Sequence, residues 1–161
     1  MPDLETAVVY PGLCLLEGTN VSEGRGTPMP FRQFGAPWLD AKKLCDSLNE
    51  LRLPGISFAT TTFTPTLSKH KGQLCRAVKL TVTSRDQLEP FWTGVQIVNA
   101  MYRLHSDRFE WLPDHFDHLC GTDTIRKAIT AQSPLGELRN RWQTECKTFQ
   151  QTRARYLLYP E

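Results

Sequence analysis

At 161 residues, 40% hydrophobic and 22% charged, the chain is sized for one domain that buries roughly two-thirds of its unfolded surface. A formal net charge of +2 is too small to argue for a nucleic-acid partner or an anionic membrane surface. No apolar run approaches the ~18 residues that span a bilayer, and the opening Met-Pro-Asp-Leu-Glu places acids where a signal peptide carries bases. As written the chain reads as cytoplasmic, unless it is a fragment whose missing part holds the targeting signal.

Taken in chain order, the first expected element is a strand over residues 6–10 that resumes at 13–16 after Pro11-Gly12. Residues 17–27 follow, Glu-Gly-Thr-Asn-Val-Ser-Glu-Gly-Arg-Gly-Thr, in which Val21 is the only apolar side chain. Such a stretch builds no hydrophobic core. Its glycines let the backbone approach a ligand closely, so it reads as a binding or catalytic loop carried on a rigid strand. Residues 28–38 are rich in proline and aromatics. Asp40 is a natural N-cap for a helix with Ala41, Leu44, Leu48 and Leu51 on one face, stopped by Leu53-Pro54-Gly55.

Residues 56–63 read as a strand rich in Thr and Phe. Val78, Leu80 and Val82 alternate with polar residues, the period of a half-buried strand. A helix is expected from about 90 to 104, with Phe91, Val95, Val98 and Tyr102 along one stripe. Thr122 or Asp123 caps a short helix containing Ile125 and Ile129. Ser133 and Pro134 open a last helix as N-cap and first helical residue, its core side formed by Leu135, Leu138, Trp142, Cys146 and Phe149. The apolar residues 156–159 are expected to dock as a final strand. The order β-α-β-β-α-α-α predicts an α+β fold, a small mixed β-sheet covered by about four helices.

Five widely spaced cysteines (Cys14, Cys45, Cys75, Cys120, Cys146) with no Cys-x-x-Cys pair read as free, mostly buried thiols. His, Asp and Cys crowd between Asp114 and Cys120, but the spacing fits no zinc pattern. A helix entry or turn with Phe116 and Leu119 packed inward is expected there, and neither a metal nor a cofactor is expected anywhere.

Several short motifs stand out together. They are Tyr10-Pro11-Gly12, Glu17-Gly18-Thr19-Asn20, the run from Ser22 to Thr27, Pro30-Phe31, and Phe34-Gly35-Ala36-Pro37-Trp38. Phe63-Thr64-Pro65-Thr66, Ser68-Lys69-His70, Gly121-Thr122-Asp123 and the terminal Tyr156-Leu157-Leu158-Tyr159 extend the pattern. Over nearly its whole length the chain resembles the C-terminal domain of the peptidoglycan exo-β-N-acetylmuramidases of the NamZ type. The resemblance implies one domain, 1–161, of a bacterial glycoside hydrolase. Such an enzyme releases terminal N-acetylmuramic acid from the non-reducing end of peptidoglycan fragments, in cell-wall turnover and recycling. It also implies a Rossmann-like N-terminal domain, absent from this sequence, that joins in cis or in trans to form the active cleft and supplies catalytic carboxylates at least in part. Family members are often exported.

Glycoside hydrolysis usually needs two carboxyl groups, and Glu17 and Glu23 are the catalytic candidates of this segment. Muramic acid carries a lactyl carboxylate that Arg25 is suited to hold bidentately, with Lys69 or His70 adding charge. Thr19, Asn20 and Ser22 have the short polar reach suited to sugar hydroxyls and the N-acetyl group. Phe31, Phe34 or Trp38 is either a platform under the sugar ring or core. Three alternatives stand beside this reading. Arg25 pairs with Glu17 or Glu23 in an internal salt bridge that only shapes a surface turn, Glu23 orients Arg25 instead of meeting substrate, or the whole chain is a non-catalytic muramyl-sugar-binding or interface module that needs a separate catalytic domain.

Overall fold

The computed structural model describes residues 2–159 and begins with a helix, α1 (Leu4–Leu13), in place of the expected first strand. The Asp3 carboxylate accepts the Thr6 N–H at 2.7 Å and caps its first turn. Thr6, Val9 and Leu13 lie buried at helical spacing. Packing of that stripe overrides the strand preference of Val8 and Val9, because tertiary burial outweighs intrinsic propensity. Pro11 stands in the last turn, and the chain tightens beyond it into a 3-10 turn, Cys14–Gly18, where the strand was expected to resume.

A short strand unforeseen in the proline-rich stretch, β1 (Gln33–Ala36), precedes helix α2 (Ala41–Glu50), whose N-cap is Asp40 as expected. Its side chain accepts the Lys43 N–H at 3.0 Å. The strands β2 (Ile56–Phe63) and β3 (Cys75–Val82) follow. The sheet order is β1-β3-β2 with both pairs antiparallel, so the sheet is antiparallel and not mixed.

Helices α3 (Pro90–Leu104), α4 (Pro113–Cys120), α5 (Thr124–Thr130) and α6 (Gly136–Arg153) complete the chain. The architecture is α+β, with six helices among the described residues where about four were expected. The order α-β-α-β-β-α-α-α-α replaces the one expected. The segment rich in His, Asp and Cys is helix α4, which buries Phe116 and ends on Gly121 in the left-handed conformation, φ 69°. Ser133 does not cap α6; Leu135 holds that position with no side-chain cap. Leu135, Leu138 and Trp142 reach the core, whereas Cys146 and Phe149 are exposed, so only the first half of α6 has a core side. The end of the chain forms a 3-10 turn, Ala154–Tyr156, and then an exposed extended stretch in place of a docked strand. No helix among the described residues is long and apolar enough to cross a membrane.

The core joins α1, α2, α3 and the inner face of the sheet, with Leu44, Leu48, Phe34, Val78, Val95 and Val98 fully enclosed. It fixes both ends of the polar loop: the 3-10 turn enters through buried Leu15 and Leu16, and β1 leaves.

Candidate active site

The loop between the 3-10 turn and β1 is tied down along its length. Ser22 and Gly35 exchange backbone hydrogen bonds of 2.9 Å, and the Phe31 N–H donates to the Glu23 carbonyl at 2.7 Å. Gly26 takes φ 79°, and a Cβ there would run into the backbone nitrogens of Thr66 and Leu67. Residues 64–72 therefore lie directly over the loop. The Thr66 N–H and hydroxyl both donate to the Gly26 carbonyl, at 3.0 and 2.9 Å.

Inside this frame four charged side chains converge. Glu23 is only 2% exposed and receives Arg25 Nε at 3.2 Å on one oxygen and Lys69 Nζ at 3.2 Å on the other. Arg25 Nη2 reaches Glu17 Oε2 at 3.1 Å, so one guanidinium bridges both carboxylates. The guanidinium carbon lies 4.9 Å from the centroid of the Phe31 ring, which Tyr10 meets edge-on at 4.9 Å. Arg25 and Glu17 keep 43% and 22% of their side-chain surface exposed, so these two, not Glu23, are within reach of a ligand. Arg25 spends Nε and one N–H of Nη2 on carboxylates, and the rest of its fork is left for an anion.

Lys69 is the anchor beneath. Its ammonium donates to the carbonyls of Leu16 at 2.8 Å, Val21 at 3.1 Å and Glu17 at 3.3 Å, besides the Glu23 carboxylate. Burial lowers its pKa below the ordinary lysine value, and Glu23 and Glu17 pull the other way. Burial, and after it the Glu17 charge, pushes the Tyr10 phenol and the Cys14 thiol up. Sequence reasoning did not assign Tyr10 to the site. Its place in the Tyr10-Pro11-Gly12 motif was the available signal, and only a helix brings it to Glu17.

The remaining candidates hold the scaffold together. The Thr19 hydroxyl donates to the Leu16 carbonyl at 2.8 Å and accepts the Val21 N–H at 3.1 Å. Ser22 Oγ accepts the Gly24 N–H at 3.2 Å. Asn20 is clamped to the segment before α4, donating to the Arg108 carbonyl at 2.9 Å and accepting the Glu110 N–H at 3.1 Å. His70 Nε2 donates to the Asn20 carbonyl at 2.8 Å, which places its proton on that nitrogen. Phe31 and Phe34 are core, and Trp38 packs against the His105 ring at 5.7 Å. The structure thus brings Glu17, Glu23, Arg25 and Lys69 together and sets His70, Thr19, Asn20 and Ser22 around them as supports. No group of three or more metal-ligating side chains occurs among the described residues.

The chain is 42% identical over 160 residues to the peptidoglycan beta-N-acetylmuramidase NamZ of Bacillus subtilis (strain 168), a match that covers 99% of this chain and 39% of that protein. A crystal structure of a DUF1343 family protein from Bacteroides fragilis NCTC 9343 superimposes with a TM-score of 0.84 at 26% identity, covering 96% of this chain and 42% of the other. A second such protein from the same organism gives 0.71 at 27% identity, covering 99% and 42%. The chain thus spans about two-fifths of the length of each relative. Residues 8–159 match the family described as "Exo-beta-N-acetylmuramidase NamZ, C-terminal", and the chain belongs to that family.

Proposed function

We propose that this chain forms part of a peptidoglycan exo-β-N-acetylmuramidase and presents one wall of its muramic acid site. The carrying observation is the Arg25 guanidinium, held by two carboxylates over the Phe31 ring and still open to solvent beside Glu17. That guanidinium receives the lactyl carboxylate of a terminal N-acetylmuramic acid, a planar bidentate pairing that lysine does not reproduce. Glu17 is the carboxyl group placed to act on the glycosidic bond, as proton donor or as base. Glu23, enclosed between Arg25 and Lys69, keeps Arg25 aimed. Hydrolysis of a glycoside uses a pair of carboxyl groups. The second comes from a Rossmann-like N-terminal domain, in cis or in trans, and the substrate lies between the two.

A second reading has its own support: Glu23 is almost fully enclosed, so a single accessible carboxylate serves this wall. On that reading the chain grips the muramyl residue and another domain performs all the chemistry. Hydrolysis of a chromogenic N-acetylmuramide, with and without a supplied Rossmann-like domain, tests the need for the second wall, and the Glu17→Gln variant in the joined enzyme separates the two readings. The expected result is turnover only with that domain present, and a loss of about 10²–10⁴-fold in kcat for Glu17→Gln. Glu23→Gln is expected to act mainly on KM, through a misaimed Arg25. Full turnover by Glu17→Gln would leave the grip as the only role of this chain.

A further inference from the structure

On the other side of α3 lies a groove of about 430 Å³ that shares no residue with the Glu17–Arg25 cluster. Trp92, Gln96, Asn99 and Arg103 line it from one stripe of α3, at i, i+4, i+7 and i+11. Gly94, which meets α1, points about 180° away on the same helix, at 100° per residue. The opposite wall is the connection from α5 into α6, with Gln132 and Ser133.

Gln96 is the unusual feature. The residue as a whole is only 9% exposed, it lines the groove, and its side chain has no hydrogen-bond partner among the described residues. Its amide atoms are not fully enclosed: they meet water through the groove, and a ligand seated there would exchange that water for direct hydrogen bonds. Asn99, Arg103 and Gln132 likewise make no side-chain hydrogen bond or ion pair, and no carboxylate lines the groove. The amino end of α6 opens beside them, with Leu135 and Gly136 in the wall and no side chain capping its first N–H groups. Glu137, the acid of that first turn, lines a neighbouring groove instead.

These groups select a ligand chemistry. A carboxamide offers one acceptor and two donors, which matches an acetamido group or a sugar hydroxyl that both gives and takes hydrogen bonds. An unbalanced guanidinium and an uncapped helix amino end, eighteen residues long, favour a carboxylate. The Trp92 indole gives an apolar wall for a pyranose ring. We infer that this groove is an accessory saccharide site, distinct from the cluster, for an N-acetylated amino sugar that carries a carboxylate. The choice of a sugar over other carboxylates rests on the function proposed above, and the site would hold a second stretch of the same polymer.

Titration of the isotope-labelled chain with N-acetylmuramic acid, followed by NMR, tests this directly. The side-chain amide signals of Gln96, Asn99 and Gln132 and the Trp92 indole N–H should move saturably, and should still move in an Arg25→Met variant. Arg103→Met should weaken that binding about tenfold, and N-acetylglucosamine, which lacks the carboxylate, should bind more weakly by a similar factor. Movement confined to residues 17–27 would overturn the accessory site and leave the proposed function standing. Silence in both places would sink both. A response on α3 to an acetylated dipeptide acid but not to the sugar would overturn the saccharide assignment.

Discussion

Lys69 shows how a charged side chain can sit in a binding loop and serve the fold. Its ammonium is surrounded by three carbonyl oxygens and one carboxylate, a shell that suits a compact cation with its donors spread over three directions. Removing it leaves Glu23, 2% exposed, with a single cationic partner, and takes the ammonium from the carbonyls of Glu17 and Val21, while the Leu16 carbonyl keeps its bonds from Thr19. Breaking a buried pair by deleting one partner costs about 3–5 kcal/mol, and Lys69→Met is expected to lower unfolding stability by that order. Lys69→Arg should not restore it, because a flat fork cannot point at four acceptors around one atom. Denaturant titration with an unchanged m-value is the check. The sequence made the charge legible but not its direction. The carbonyls that capture Lys69 lie about fifty residues earlier in the chain, and no local pattern connects them. For the same reason Glu17 and Glu23 look alike in sequence, while their exposures differ by an order of magnitude.

Among the elements, α1 and α3 meet backbone to backbone. A Cβ on Gly94 would overlap the Gly12 carbonyl oxygen, and one on Gly12 would overlap the carbonyl of Pro90. Neither neighbour can yield, since both are main chain inside the core. Gly94→Ala is therefore expected to destabilise by about 1–3 kcal/mol, the usual cost of overpacking. Gly136→Ala is the contrast: nothing lies within 4 Å of its Cβ position, at the first residue of α6. It should raise stability by roughly 0.5–1 kcal/mol through helix propensity. Opposite shifts in the denaturation midpoints of the two variants would confirm the crossing, and similar shifts would refute it. This crossing also explains what the sequence concealed. Consecutive Val8, Val9 and Tyr10 show no period, and Pro11-Gly12 reads as a strand break until the partner glycine is known. All four residues of β1 are buried, so it shows no alternation. By contrast α2 and β3 alternate buried and exposed positions, and their periods of 3.6 and 2 were readable, while β2 was legible from its Thr and Phe content.

For the molecule as a whole, the thiols set the alkaline limit of stability. Burial pushes Cys75 up to about 11. Burial, followed by the Asp117 charge, pushes Cys120 up to about 12. Cys14 and Cys45 are raised as well, again first by burial. The unfolded chain ionises its thiols near the ordinary value of 9.0, while the folded chain keeps those protons. Between pH 9 and about 11–12 the folded state therefore binds more protons, and stability falls with rising pH across that window. The raised Tyr10 phenol acts in the same direction, starting from its ordinary value of 10.0. Lys69 opposes them. Its lowered pKa means that the folded state releases a proton the unfolded chain still holds below 10.5, which favours folding as pH rises. One amine stands against four thiols and a phenol, so the net slope is downward. Unfolding free energy measured from pH 8 to 11 should decline steadily, and the double variant Cys75→Ala with Cys120→Ala should start lower but fall less steeply. An unchanged slope in that variant would assign the alkaline loss to other groups. A rise with pH in the unmodified chain would mean that the Lys69 ammonium, and not the enclosed thiols, governs this limb.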